Sequence, residues 1–307
     1  MTLHTDWRDI PKDARGTVAA LGNFDGVHRG HVHLLHSLRA ARPDHPLSVV
    51  TFDPHPRELF RPQNLPCRLM LPDVRAKALE EQGVAHVFQI PFDKDFSRLS
   101  AESFVHDVLL GALGVRHVAC GADFAFGHRR TGNTDDLEAL LTPKGVGLTI
   151  VPQLVDEGGP ISSSRIRRLL QEGYPERAAL ELGRPWSIVG PVIHGDQRGR
   201  LLGFPTANIP LRQHLEPARG VYAVQVTLPD RRIIPGVANI GRRPTINDGQ
   251  ESRLEVHLFD FSEDLYGKTL NVALIALLRD EKRFSGLEEL KAQIVQDAEQ
   301  ARRLLGR

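Results

Sequence analysis

The residues best equipped for chemistry fall in two glycine-rich runs. The first is Gly22-Asn23-Phe24-Asp25-Gly26-Val27-His28-Arg29-Gly30-His31. Its three glycines let the backbone approach a ligand closely. The helical pattern that starts inside the run offers free N–H groups and a positive dipole end to an anion. His28 and His31, three residues apart, can both donate hydrogen bonds to one phosphate. Two other readings compete. His33 and His36 follow closely, as in a metal site, but no carboxylate or thiolate nearby completes a usual ligand set. Ordinary surface histidines are the other, in a chain that has 14. The second run spans 190–208 and contains Gly190, Gly195, Gly199 and Gly203. It has the make-up of a loop that brings phosphate near the backbone. Thr206 and Asn208 beside it offer a hydroxyl and an amide carbonyl, hard oxygens suited to Mg²⁺. A glycine-rich turn leading into a proline-interrupted edge strand would read the same way.

These runs need a frame to hold them. Short apolar or β-branched segments at 17–21, 47–52, 84–90, 115–120 and 147–151 read as buried strands. Helical patterns at 30–41, 72–82, 101–110 and 133–141 lie between them, with Pro72-Asp73 and Asn133 as start signals and Gly83 and Gly111 as stops. Such alternation predicts an α/β domain with a parallel sheet, whose ligands bind beyond the carboxyl ends of the strands. Two short helices, 163–173 and 175–183, follow. From Trp186 the pattern changes to strand-like segments at 187–193, 220–228, 231–240, 253–261 and 269–278. A final helix at 286–305 carries Leu287, Leu290, Ile294, Ala298, Ala301 and Leu305 on one stripe. This half predicts a mostly antiparallel β-barrel with a C-terminal helix. The join is expected at 184–186.

Composition narrows the partners. In 307 residues, 39 basic and 38 acidic side chains leave a net charge of +1. That balance provides no field for nucleic acid or an anionic membrane. No apolar run reaches the length of a membrane span. The first residues lack the apolar segment of a signal peptide, so a cytoplasmic protein is expected. Cys67 and Cys120 are too few for a disulfide framework. Gly267-Lys268-Thr269 ends like a phosphate-binding P-loop, yet Ser262 stands where that motif wants glycine, so a turn is expected there.

The first run carries the Gly-x-Phe-Asp-Gly-x-His-x-Gly-His pattern of nucleotidyltransferases related to class I aminoacyl-tRNA synthetases. Phe52-Asp53-Pro54-His55-Pro56, the 121–127 run Gly-Ala-Asp-Phe-Ala-Phe-Gly and Ile161-Ser162-Ser163-Ser164-Arg165-Ile166-Arg167 follow at successive strand ends. Gly203-Phe204-Pro205-Thr206-Ala207-Asn208 and Glu255-Val256-His257 come later. Along its whole length the chain resembles the bacterial bifunctional riboflavin kinase/FAD synthetase family. The resemblance implies a Rossmann-like HxGH nucleotidyltransferase domain, 1–184, that adenylylates FMN, and a riboflavin kinase barrel, 185–307. Riboflavin, FMN and ATP would be the small-molecule partners, FAD the product, and Mg²⁺ the cofactor.

Site residues follow from the same resemblance. Gly22, Phe24, Asp25, Gly26 and Asp123 would line the ATP site, with His28 and His31 on its phosphates. Ser163, Ser164 and Arg167 would grip the phosphates from the opposite side, although a helix cap explains the serines equally. Phe52, His55 and Phe124 would meet flavin. In the kinase half, Gly195, Gly199, Thr206 and Asn208 would meet ATP, the last two also holding the metal; Phe204 would meet riboflavin and Arg279 the flavin or ADP, although a surface ion-pair network explains 279–283 nearly as well. Glu255 would be the base, the competing reading being a solvated strand carboxylate. Strand alternation puts it on one face with His257 and Phe259. Two departures stand out: Ser164 replaces a usual threonine, and Ala125 stands where relatives often have arginine. Arg129 and Arg130 are the candidates to supply that charge. The competing readings are an enzyme that keeps only the kinase step and a flavin-sensing regulator without turnover.

Overall fold

Strands that are apolar on both faces need cover on both sides, and a parallel sheet wrapped in helices provides it. In the computed structural model, which describes residues 1–64, 66–195, 203–244 and 250–306 and the side chains of all of these but 64, 242–244, 250 and 251, such a sheet fills the first part of the chain. Its strands are β1 (Thr2–His4), β2 (Val18–Leu21), β3 (Leu47–Asp53), β4 (His86–Pro91), β5 (His117–Gly121) and β6 (Gly147–Val151). They lie in the order β1-β4-β3-β2-β5-β6, each pair parallel. The order reverses between β2 and β5, which is where an open α/β sheet binds its ligand. The helices are α1 (Arg29–Ala41), α2 (Pro56–Phe60), α3 (Pro72–Glu81), α4 (Ala101–Ser103) and α5 (Thr134–Leu141). Asn133 starts α5 as expected: its side chain accepts from the backbone N–H groups of Asp135 and Asp136.

The helix expected at 101–110 is a different object. After one α turn it continues as a π-helix, Phe104–Ala112. Bonds such as Leu113 N to Val108 O, 3.0 Å, widen the turn so that Phe104, Val108, Leu109 and Leu113 all point into the core. Two short elements, β1 and α2, carry too few residues to show a period. The hairpin of β7 (Val155–Asp156) and β8 (Gly159–Pro160) is likewise brief.

A second compact unit holds Pro66–Leu71 and Ser163–Arg307; the first holds Met1–Leu65 and Pro72–Ser162. The chain thus enters the second compact unit at Ser163, with the two short helices that follow on the barrel's side. The reason is packing. On α6 (Ser163–Gln171) and α7 (Pro175–Leu182), the apolar residues Ile166, Leu169, Leu170, Ala178 and Leu182 share one core with Trp186, Ile188 and the inner face of the barrel. Segment 66–71 is tied to that core: Trp186 Nε1 donates to Leu69 O at 2.8 Å, and Arg167 Nε to Cys67 O at 2.7 Å.

The barrel strands are β9 (Ser187–Pro191), β10 (Ala207–Pro210), β11 (Gly220–Thr227), β12 (Ile233–Pro244), β13 (Gln250–Leu258) and β14 (Thr269–Asp280). They run antiparallel in the order β10-β13-β12-β11-β14-β9, and an isolated bridge between Ile193 and Asn208 nearly closes the circle. Leu254, Val256 and Leu258 face inward. Helix α8 (Leu287–Leu304) lies on the outside, seating Ala298 and Ala301 on Val221, Ala223, Val237 and Phe259. The expected stripe is thus buried only in its second half; Leu287 is 67% exposed. Gly267-Lys268 is a turn, with Gly267 left-handed at φ 74°. No helix among the described residues is long and apolar enough to cross a membrane.

Candidate functional site

In the first unit the loop between β2 and α1 is held in a strained form. Phe24, Gly26 and Val27 all take left-handed backbone, at φ 51°, 90° and 39°. For Phe24 and Val27 this costs about 1–3 kcal/mol each, and burial of both side chains offsets it. The loop is also pinned from below. Asn23 O accepts from Thr51 Oγ1 at 2.9 Å and from the buried Arg75 at 3.1 Å. The other end of the Arg75 guanidinium donates to Gln89 Oε1 at 3.1 Å. Neither Thr51 nor Arg75 was singled out from sequence.

His28 caps α1, its Nδ1 accepting from the His31 backbone N–H at 3.3 Å. With Nδ1 used as acceptor, the neutral ring carries its proton on Nε2. The two imidazoles stack with centroids 3.6 Å apart, and Phe24 lies 4.8 Å from His31. Gly30 makes this possible, since a Cβ there would stand 3.1 Å from the His28 ring. Gly22, Asp25 and Gly26 share the same loop. At the end of β3, His55 caps α2 by accepting from Arg57 N at 3.1 Å. Phe52 joins an aromatic wall with Phe92 at 5.3 Å and Phe96 at 5.9 Å. After β5, Asp123 is exposed and Phe124 stacks on Phe126 at 5.6 Å. Arg129 and Arg130 are exposed farther along that loop, both left-handed. Cys120, under Asp123, is inert: burial first, then the Asp123 charge, push its thiol up to about 12.

Ser163, Ser164 and Arg167 lie on α6, in the second unit. Arg167 is buried, and its Nε is engaged by Cys67 O.

The barrel gathers its candidates by register. Asn208 on β10 pairs with Glu255 on β13, Glu255 with Asn239 on β12, Asn239 with Val221 on β11, and Val221 with Arg279 on β14. Paired residues in a sheet share a face, so these five form one row across five strands. Their neighbours Ala207, Ile209, Leu254 and Val256 point into the barrel core, which puts the row outside. There Thr206, Val221, Asn239, Glu255 and Arg279 line a cavity of about 600 Å³. Its other walls include Phe204, Phe284 and, from α8, Leu290, Ile294 and Asp297. His257 Nδ1 lies 2.9 Å from Pro205 O and so steadies the turn that carries Phe204 and Thr206.

Asn208 is 5% exposed, and its Oδ1 has no hydrogen-bond donor among the described residues. A buried carbonyl oxygen in that state can accept from a water or ligate a cation. Gly195 packs against the same amide: a Cβ there would stand 2.5 Å from Nδ2. Gly199 lies outside the described residues. Sequence reading missed Asp297 and places Asn239 only within the 236–245 run, which fits the kinase family and reads as shaping nucleotide and flavin loops.

Comparison with known proteins adds to this geometry. Residues 10–165 match the family model described as FAD synthetase, and residues 182–305 the one described as riboflavin kinase. Proteins described as bifunctional riboflavin kinase/FMN adenylyltransferase are similar throughout. The one from Escherichia coli strain K12 is 42% identical over 95% of this chain and 93% of its own. The one from Pseudomonas fluorescens is 42% identical over 99% and 98%, and the one from Bacillus subtilis strain 168 is 36% identical over 95% and 93%. A crystal structure described as a macrolide-efflux protein from Streptococcus pneumoniae matches with a TM-score of 0.87 at 33% identity, covering 98% of both chains.

Proposed function

The chain belongs to the family of bifunctional riboflavin kinase/FMN adenylyltransferases, making FMN from riboflavin and FAD from FMN with ATP, and from that premise we propose how its residues divide the work. The adenylyl step is assigned to 1–184 and the kinase step to 185–307, in the cytoplasm where ATP is held.

In the adenylyl step the FMN phosphate, already an anion, attacks the α-phosphorus of ATP and expels pyrophosphate. No strong base is needed; positioning and charge neutralisation are. The strained loop with Gly22, Phe24, Asp25 and Gly26 brings backbone N–H groups to the nucleotide. His28, donating through Nε2, and His31 meet the phosphates. Asp123 is read as a nucleotide contact, Phe52, His55 and Phe124 as flavin contacts. Ser163, Ser164 and Arg167 are proposed to serve the phosphates of the same step from the first turns of α6, and Arg129 and Arg130 to supply the charge missing at Ala125.

In the kinase step the nucleophile is the ribityl 5′-hydroxyl, which must lose a proton as it attacks the γ-phosphorus. Glu255 accepts that proton. Asn208 and Thr206 would hold Mg²⁺, a reading supported by the Asn208 carbonyl oxygen that lacks a donor among the described residues; bound there, it would supply charge neutralisation at the ATP phosphates. Gly195 and Gly199 bring backbone to those phosphates, and Phe204 and Arg279 flank the flavin.

The observation that carries this is the row from Glu255 through Asn239 and Val221 to Arg279, facing one cavity of substrate size, with Asn208 paired to Glu255 at its end. Incubating the protein with riboflavin, ATP and Mg²⁺ and separating the products by chromatography should give FMN and then FAD. Flavin binding without ATP consumption would point to a sensor, and FMN alone to a protein that keeps only the kinase step.

A further inference from the structure

Arg279 stands three strand spacings from Glu255 along the register row, about 14 Å at about 4.8 Å per strand. That spacing sets the Arg279 backbone well away from Glu255 at the other end of the same cavity. The Arg279 charge is also matched locally. Nε donates to both carboxylate oxygens of Asp297, at 3.0 and 3.1 Å, and Nη2 donates to Oδ2 at 2.8 Å. Nη1 donates to Asp280 O at 2.9 Å. The Asp297 side chain is 5% exposed and takes a further bond from Gln293 Nε2, one turn earlier on α8, at 3.0 Å. A guanidinium fixed this way presents a plane with little net charge. Phe284 lies 5.7 Å away and lines the same cavity. A triphosphate would call on the guanidinium's N–H fork, which Asp297 and the Asp280 carbonyl already occupy; a flat heteroaromatic ring needs only the open plane.

We propose that Asp297, helped by Gln293, is a positioning residue that fixes Arg279 as the wall for the isoalloxazine ring, so that riboflavin lies along the row with its ribityl end at Glu255. This rests on the kinase reading of the cavity. The acid on α8 thereby makes the C-terminal helix part of the substrate site.

The test uses the full chain. Asp297→Asn keeps size and one acceptor oxygen but removes the charge. Riboflavin affinity, followed by fluorescence quenching without ATP, should fall by about tenfold or more. The KM for riboflavin should rise with it, while kcat and the KM for ATP stay within about twofold. Arg279→Lys, which loses the plane but keeps the charge, should behave alike, and Gln293→Leu should show a smaller loss of the same kind. FMN adenylylation by each variant reports an intact chain. If Asp297→Asn does not fold, Arg279→Lys and Gln293→Leu decide the matter. Unchanged riboflavin affinity in these variants, or a loss carried by the KM for ATP, overturns the proposal. Glu255→Gln separates it from its premise: normal phosphorylation by that variant removes the kinase reading of the cavity, whatever Asp297→Asn shows.

Discussion

The first unit delivers most of its nucleotide-binding candidates in ten consecutive residues, Gly22 to His31, on one strained loop and the helix it starts. The second collects its candidates from β10, β13, β12, β11 and β14, with α8 as cover. The difference is one of mechanism of placement. A parallel sheet exposes strand ends, so chemistry gathers on loops, and a loop can hold a contiguous motif. A barrel buries one strand face and presents the other, so chemistry spreads across strands and is aligned by hydrogen-bond register. Damage to the first site should therefore be local, and damage to the second should depend on rows.

The largest expected effect splits the two reactions. Glu255→Gln should cut FMN formation by about 10²–10⁴, leaving FAD formation from supplied FMN intact. His31→Ala should cut FAD formation by about 10²–10³ and spare the kinase. Both are read by chromatographic rate assays, and a variant that loses both reactions together would break the comparison.

A middle-sized effect tests how the loop is pinned. Arg75→Met removes one of the two donors to Asn23 O. Losing a charged hydrogen bond of about 1.5 kcal/mol should lower kcat/KM of adenylylation about tenfold. Equal kinetics in wild type and variant would show that Thr51 suffices.

The smallest effect is on stability. His117 on β5 lies 2.8 Å from Thr149 Oγ1 and beside Arg42. Burial first, then the Arg42 charge, hold its imidazole below the usual histidine range. The unfolded chain takes up a proton as pH falls through about 6.5, and the folded unit resists it. The first unit should thus be steadiest above that pH and weaken below it. His4 and His86, also lowered mainly by burial, shift stability in the same direction. Thermal unfolding at successive pH values should show this loss, shallower in His117→Gln.

What could be read from the sequence follows the same division. The loop site was legible because its residues are adjacent, and strand alternation placed Glu255, His257 and Phe259 on one face. The place of Asn239 was not legible, since only register brings it beside Glu255. Nothing in the type or spacing of Arg75 sets it apart from other helix cations, except that its neighbours Ala76 and Leu79 are core residues. Asp297 left a trace: an acid on the stripe of Leu290, Ile294 and Ala301 demands a partner. The amphipathic stripes of α6 and α7 were visible too, but a stripe does not say which core it fills. The π-turn at Phe104–Ala112 leaves a helical pattern unchanged in type, so only its hydrogen bonds reveal it.

The row across the barrel also sets how this pocket can change its taste. Distance along it comes in steps of about 4.8 Å, one strand at a time, and a shift of one residue along a strand turns a side chain to the inner face. Reach is therefore counted on a ruler with coarse marks. A lineage that came to prefer a longer or shorter sugar chain would have to move a whole function to the neighbouring strand, and small mutations would tune grip without altering length.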